Sequence, residues 1–284
     1  MEACSRLPAA TREPLTATYF SKANQIIPLL EKDKFLKAQA EGVTSVFLER
    51  AICLVAAKNP ASSRHLRLVG DGPVVSARQF CSDIYKGLTV AMDAELELDR
   101  LTRIRVLALM SLHCEGYEGA EPASLHLCQA IHQAQTVGLH LERPDRTSAD
   151  PLVKLFWSLW TLDKLHASIG GRPIILADRD IGIGKPNAHA QESPRAFGVW
   201  FAISELLATV ISFYRPSAGT SSGWEEGFPA FEDIVGEDTH GELDVATLGM
   251  LNCRASRPIS IGELIIGRRS GALLSFGGYF VLSV

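Results

Sequence analysis

Asp163, His166, Arg172, Asp178 and Asp180 are the residues whose types and spacing bear most on chemistry. All five fall within residues 150–186, DPLVKLFWSLWTLDKLHASIGGRPIILADRDIGIGKP. At about 100° per residue, Asp163 projects among Leu152, Phe156 and Leu159, and His166 lies beside Leu159 and Leu162. Two polar groups thus enter an apolar sector, where each needs a partner because an unpaired polar group in a dry interior is costly. Arg172 stands just past Gly170-Gly171, and its planar fork suits a carboxylate. The spacing predicts an ion pair between Asp163 and Arg172 across the glycine turn, with Asp178 or Asp180 as alternative acids for the same guanidinium. The ordinary meaning of such a pair is a structural clamp on the turn. The functional alternative is an effector-binding corner.

Other constellations carry less. His126, Cys128 and His132 crowd one stretch, but only Cys128 and His132 have the four-residue spacing that sets two ligands side by side on a helix. Gly182-Ile183-Gly184-Lys185-Pro186 has the look of a phosphate loop, yet Arg179 stands where its first glycine belongs and Pro186 replaces its hydroxyl residue. No H-E-x-x-H, G-x-S-x-G or H-x-E with a downstream C-x-x-C occurs. The six cysteines, Cys4, Cys53, Cys81, Cys114, Cys128 and Cys253, form no C-x-x-C pair, which argues against a zinc ribbon, a zinc cluster or a thioredoxin-like site and for buried thiols. The expectation is a protein that is not an enzyme and holds no metal or cofactor within this chain. An enzyme acting on a small molecule would have to rest on Asp163, His166 and Arg172; turnover lost in His166→Ala with folding kept is its sign.

Composition narrows the partners. With 284 residues, 46% hydrophobic and 21% charged, the chain is long enough to bury a full core. Its net charge of −4 and the lack of any run of five basic residues give it no general attraction for nucleic acid. Direct, sequence-specific DNA binding by this chain is therefore not expected. Residues 1–15 lack a charged start followed by an apolar core, so no secretory signal is read there. Residues 270–284 are apolar but contain three glycines and fall short of the ~20 residues a spanning helix needs, so no membrane segment is expected.

The elements that must position these residues are helical. Asp150 is a candidate N-cap, Pro151 suits the first helical position, and Gly170-Gly171 stop the helix, giving limits of 151–169. Lys154, Ser158, Thr161, Lys164 and Ser168 fall opposite its apolar side. Upstream, residues 18–40 read as two short helices broken at Pro28, residues 43–58 as a more apolar helix stopped by Asn59-Pro60, and residues 74–97 as a helix with Phe80, Ile84, Leu88 and Val90 inward. Arg64, His65 and Arg67 read as a solvated basic loop. Residues 99–114 and 122–138 form a helical hairpin whose second member offers Ala123, Leu127, Ala130, Ile131 and Ala134 on one face. Residues 194–214 are a further, nearly all-apolar helix. The fold class is all-α, an irregular array of packed helical hairpins. Residues 1–17 read as a loose N-terminal segment. Residues 217–238 are glycine-, serine- and acid-rich, with Trp224, Phe228 and Phe231 spaced as anchors for a partner. Helical patterning weakens beyond 243, and residues 262–278 hold too many glycines for a helix.

Several of these segments in order resemble the regulatory middle homology region of fungal zinc-cluster transcription factors, the fungal-specific transcription factor domain. Tyr19-Phe20 with Ile27-Pro28-Leu29-Leu30 and Phe35 is similar to its opening, and Ala130-Ile131, Ala134 and Gly138-Leu139-His140 to its middle helix. Residues 157–163 followed by Gly171-Arg172-Pro173, Asp178, Asp180-Ile181 and Pro186 resemble its most recognisable block. The likeness runs from about residue 18 to 236, leaving 237–284 off the pattern. It implies a nuclear regulator of transcription, working with the transcription machinery or a DNA-binding partner and responding to a small-molecule effector. In the family this region lies downstream of a DNA-binding zinc cluster. This chain has no C-x2-C-x6-C, so zinc enters only with a cluster upstream of it. The chain then regulates through a partner, is part of a longer factor, or has lost the activity; a helical interaction scaffold without a transcriptional role is the contrasting class.

Overall fold

Residues 151–170 hold more large apolar side chains, Phe156, Trp157 and Trp160 among them, than one face can cover, and a helix of that kind has to be enclosed. In the computed structural model it is. The structure describes residues 5–113, 119–147, 150–170, 172–186, 195–213, 274–276 and 279–281. In chain order the helices are α1 (Ala9–Ser21), α2 (Ala23–Ile26), α3 (Lys32–Ala40), α4 (Val46–Ala56), α5 (Ala77–Asp93), α6 (Arg100–Met110), α7 (Ala120–Thr136), α8 (Pro151–Gly170) and α9 (Arg195–Phe213). Tighter 3₁₀ turns occupy Pro60–His65 and Asp178–Asp180. The all-α class holds, with one small addition. Strands β1 (Leu274–Phe276) and β2 (Tyr279–Val281) pair antiparallel, Leu274 opposite Val281, and β2 lies near α8.

The starts of the helices follow from residue chemistry. Ser45, Ser76, Asp99 and Asp150 each turn a side-chain oxygen back to a first-turn N–H, at 3.4, 3.2, 2.8 and 2.7 Å, satisfying donors that the helix itself leaves open. Two helices are enclosed by others. Every residue of α4 from Leu48 to Ala56 is buried, against α1, α5 and α6. Helix α8 lies between α7 and α9, while α6 and α7 form the most extensive pairing in the molecule. The expected hairpin of residues 99–138 is thus the link between the two enclosed helices.

The N-terminal segment departs from expectation. Residues 5–17 are not loose: Leu7 is buried, α1 starts at Ala9 and runs through Pro14, and Arg6 pairs with buried Glu49 at 2.5 Å. Hydrophobic spacing hides this helix because its buried face carries threonines as well as Leu15, Tyr19 and Phe20. Thr11 shows how a polar residue serves there, donating its hydroxyl to the Arg67 carbonyl at 3.0 Å. Val90, expected inward, is exposed. Residues 217–238, with Trp224, Phe228 and Phe231, and the boundary at 237 lie outside the described residues.

Candidate functional site: the clasp on helix α8

Helix α8 begins at Asp150, whose carboxylate accepts from Leu152 N–H, and ends where Arg172 N–H returns to the Ala167 carbonyl at 3.0 Å. The chain then doubles back over the helix as an extended strap, residues 172–186. Leu176 and Ile183 are the buried anchors of the strap. At Gly182 the strap backbone comes so close to the segment after α7 that an added Cβ would meet Glu142 N at 3.2 Å; the Gly182 N–H donates to the His140 carbonyl at 2.8 Å.

Asp163 holds the strap, but not through Arg172. Its carboxylate accepts Ile175 N–H at 3.0 and 3.1 Å and Leu176 N–H at 2.9 Å, and pairs with the Lys164 ammonium at 3.1 Å. Lys164 in turn donates to the Leu176 carbonyl at 2.6 Å and lies 4.7 Å from the centroid of the Trp160 ring. Both charged side chains are almost wholly out of water, at 3% and 0% exposure. The expected Asp163–Arg172 pair is therefore corrected: the acid is satisfied by two backbone donors and its own neighbour. Arg172 instead reaches the Ala120 carbonyl at the start of α7, at 3.4 Å, with its methylenes beside Gly170.

Lys164, Ser158 and Thr161 fall opposite the apolar side of α8, yet that side is enclosed too. All three are buried. The two hydroxyls bond carbonyls of their own helix, Ser158 to Lys154 and Thr161 to Ser158, both at 2.8 Å, which lets them sit in an apolar setting without outside partners.

Trp160 continues the clasp to the surface. Its indole N–H donates to Asp178 at 2.9 Å, and the other Asp178 oxygen meets Lys185 at 3.1 Å. Lys185 bridges onward to Glu205 on α9 at 3.0 Å. Burial pushes the Asp178 carboxyl up, but the hydrogen bonds from Trp160 and Lys185 outweigh it and hold the group below its ordinary value. Burial likewise pulls Lys185 down, and the bonds to Glu205 and Asp178 raise it above the usual lysine value. Trp157 N–H donates to the Gly184 carbonyl at 3.0 Å, and both indoles pack on Phe201 of α9, with ring centroids 5.5 and 5.2 Å apart. Asp180 takes no part in the clasp; it is exposed and faces Arg179 at 3.8 Å.

His166 belongs to a different neighbourhood. Its imidazole stands close to the Ser111 carbonyl at the end of α6 and near Arg172, and burial first, then that arginine, lowers its pKa to about 4 against the opposing carbonyl. Nearby in the chain, His113 just beyond α6 is pushed down to about 3 by burial, with Lys58 and His126 adding to the effect. The ring of Tyr85 on α5 lies 4.7 Å from that of His113, and its hydroxyl meets His126 Nε2 on α7 at 2.8 Å. Burial also lowers His126, opposed by Asp93. Of the paired spacing considered for a metal, Cys128 and His132 remain half-buried and exposed on α7; among the described residues no three His, Cys, Asp or Glu side chains are placed to share a metal ion.

The stretch from α1 to α9, clasp included, coincides with a known family. Residues 16–214 match the fungal specific transcription factor domain, about seven-tenths of the chain. The chain belongs to that family. Two curated relatives, both from Fusarium vanettenii, carry the same signal: cutinase transcription factor 1 beta is 26% identical over 179 residues, and cutinase transcription factor 1 alpha 27% over 183. These alignments cover 60% and 61% of this chain but 20% of each relative, so the match spans a fifth of those proteins. No solved structure matches the chain. Within this fungal transcription factor domain the block with the clearest resemblance, residues 157–186, is also the one the clasp binds together. Sequence reasoning missed Trp160, Lys164, Lys185 and Glu205 as its members. The available signal was Lys164 next to Asp163 in a helix that carries two tryptophans and a phenylalanine within five residues. No described helix is long and apolar enough to cross a membrane.

Proposed function

We infer that the chain regulates transcription in the nucleus, through a DNA-binding partner or the transcription machinery and without recognising a DNA sequence itself. The observation that carries this reading is the extent of the family match: residues 16–214, from within α1 to the end of α9, match the fungal specific transcription factor domain. The net charge of −4 supports the second half, since a chain with no basic stripe lacks the phosphate contacts that dominate DNA affinity. The clasp supports the first. By closing α8, the strap and α9 into one unit, it gives the domain a rigid face on which a partner or a small-molecule effector acts.

Tethering tests it. Fused to an unrelated DNA-binding module, the chain is expected to change transcription of a reporter several-fold, up or down, while the unfused chain shows no sequence-specific gel shift tighter than about 10⁻⁸ M at physiological salt. A specific shift in that range overturns the partner-dependent reading. A tethered chain that enters the nucleus and leaves the reporter unchanged supports the interaction scaffold instead.

A further inference from the structure

Single exposed apolar side chains are ordinary; a group of them at one place is not. Ten large apolar side chains are exposed among the described residues, and four of them, Val43, Val90, Leu96 and Leu98, gather where α3 leads into α4 and α5 into α6. Leu98 is 89% exposed, the most of the ten. Hydrogen bonds hold the group together. The Ser45 hydroxyl donates to the Glu97 carboxylate, which sets the chain just past Val43 against the residue between Leu96 and Leu98. At the end of α5, Leu96 N–H returns to the Ala91 carbonyl at 3.0 Å and Glu95 N–H to that of Met92 at 3.2 Å, so Leu96 is turned back toward the helical turn that carries Val90. Glu95 takes a left-handed φ of 55° there, where glycine is the usual choice. Glycine would supply the turn but not the charge. Residues 93–99 read Asp-Ala-Glu-Leu-Glu-Leu-Asp, four carboxylates interleaved with the two leucines. Arg103 answers one of them, meeting Glu95 at 3.4 Å, and Arg100 stands exposed beside Asp99. Arg6, which reaches the Thr44 carbonyl at 2.7 Å, is paired with Glu49. The rim of the apolar patch is therefore net negative.

We propose that this patch docks a cationic amphipathic helix of a partner protein. The apolar stripe of that helix covers Val43, Val90, Leu96 and Leu98, and lysines or arginines at its flanks meet Asp93, Glu95 and Glu97. Charge sign selects this occupant, because the same rim repels the phosphates of nucleic acid and of an anionic membrane. Backbone geometry selects a helix over an added strand. Of the alternate N–H groups that a strand would pair with, those of Ala94, Glu95 and Leu96 close the end of α5, and that of Asp99 donates to Glu97 at 3.0 Å. Side chains are what the patch offers, and the stripe of an amphipathic helix is read through side chains alone. The proposal rests on the regulatory reading, for which it names the kind of surface that engages the chain, but its binding test stands apart from that reading.

The experiment is a titration of the full chain with acetyl-LKKLLKLLKKLLKL-amide, an amphipathic leucine and lysine helix, followed by backbone amide resonances. Saturable shifts centred on Val43, Val90, Leu96 and Leu98 are expected, with a Kd of about 100 μM or tighter. Acetyl-LEELLELLEELLEL-amide, with the same stripe and the opposite charge, is expected to bind at least about tenfold more weakly. Leu96→Ser combined with Leu98→Ser, both at exposed positions, is expected to weaken the lysine peptide about tenfold while the remaining spectrum is unchanged. Val69→Ser, also exposed but beyond the far end of α4, is expected to leave binding unaltered. In the tethered reporter the double variant is expected to lose most of the effect of the chain. The absence of saturable shifts, equal affinity for the glutamate peptide, or full binding by the double variant each overturns the proposal. Shifts at the patch that grow with chain concentration in the absence of peptide overturn it too, in favour of a second copy as the occupant. A double variant as active in the reporter as the unaltered chain overturns the proposal and leaves the regulatory reading standing, whereas a silent unaltered chain removes that reading and the titration still decides the docking.

Discussion

Two polar clusters of the core differ in how they accommodate buried polar groups. In the clasp, the Asp163 and Lys164 side chains sit in a dry setting with two backbone N–H groups, a carbonyl and an indole face around them. At the other cluster His113, His126 and His166 are held neutral by burial, beside cations Lys58 and Arg172 that oppose further positive charge. The Nδ1 atoms of His113 and His126 have no hydrogen-bond partner. The clasp is a satisfied network that specifies geometry; the histidine cluster tolerates unmet groups and depends on pH. The difference teaches that a buried position does not by itself fix how a polar group is accommodated; the partners within its reach do.

The largest expected effect breaks the clasp. Asp163→Leu strands the Lys164 ammonium and orphans two backbone donors, and should cost about 3–5 kcal/mol in denaturant unfolding. Lys164→Met should cost less, because Asp163 keeps Ile175 and Leu176 N–H. The double variant should be more stable than the sum of the two losses implies, with a coupling of about 0.5 kcal/mol or more. Simple additivity would show that the two side chains do not act as a pair. Arg172→Met, by contrast, should show no coupling to Asp163.

Acid separates the two clusters next. The unfolded chain protonates its histidines near pH 6.5, whereas the folded protein keeps His113 and His166 neutral down to about pH 3 and about pH 4. The unfolded state therefore binds more protons in that window. Stability is full above about pH 6.5 and falls as the pH drops toward 4, by up to about 1.4 kcal/mol per pH unit for each fully buried histidine. His166, which takes up its proton near pH 4, contributes over a narrower window than His113. Unfolding free energies measured from pH 7 to 4.5 check this, and His113→Phe should flatten the slope. The Asp178 contribution runs with the same sign but at lower pH, present above the ordinary carboxyl value near 4 and lost below it.

Smaller effects sharpen the outer edge of the clasp. Trp160→Phe removes the hydrogen bond to Asp178 while retaining most of the packing on Phe201, and should cost about 1 kcal/mol. Asp180→Asn, at an exposed carboxylate outside the network, should change stability by no more than about 0.5 kcal/mol. A cost for Asp180→Asn equal to that for Trp160→Phe would erase the boundary drawn between them.

Much of this was legible in the residues. The limits of α8 followed from Asp150, Pro151 and the glycine pair, and the α6–α7 hairpin from its small-residue face. What stayed hidden has physical causes. Helix α1 was obscured because Thr11 and Thr16 occupy its buried side, where an apolar period should be. Helical spacing sets Lys164 opposite the apolar side of α8 but does not show that this side is enclosed as well. The partner of Asp163 was misassigned because its main donors are the backbone N–H groups of Ile175 and Leu176. Every residue but proline carries such a donor, so no letter of the sequence marks it. Arg172 looked like the nearest complementary charge and was in fact drawn to a carbonyl on α7.

Native-state hydrogen exchange at Ile175 and Leu176 tests the clasp most directly. Both amides donate to the Asp163 carboxylate rather than to a neighbouring strand, Ile175 at a half-open position and Leu176 at a buried one. They should exchange at least about a thousandfold more slowly than an unstructured chain, close to the most protected core amides, and lose that protection in Asp163→Leu. Exchange at loop-like rates in the unaltered protein would mean that the strap is not held by Asp163, and the clasp would not be the element that orders this domain.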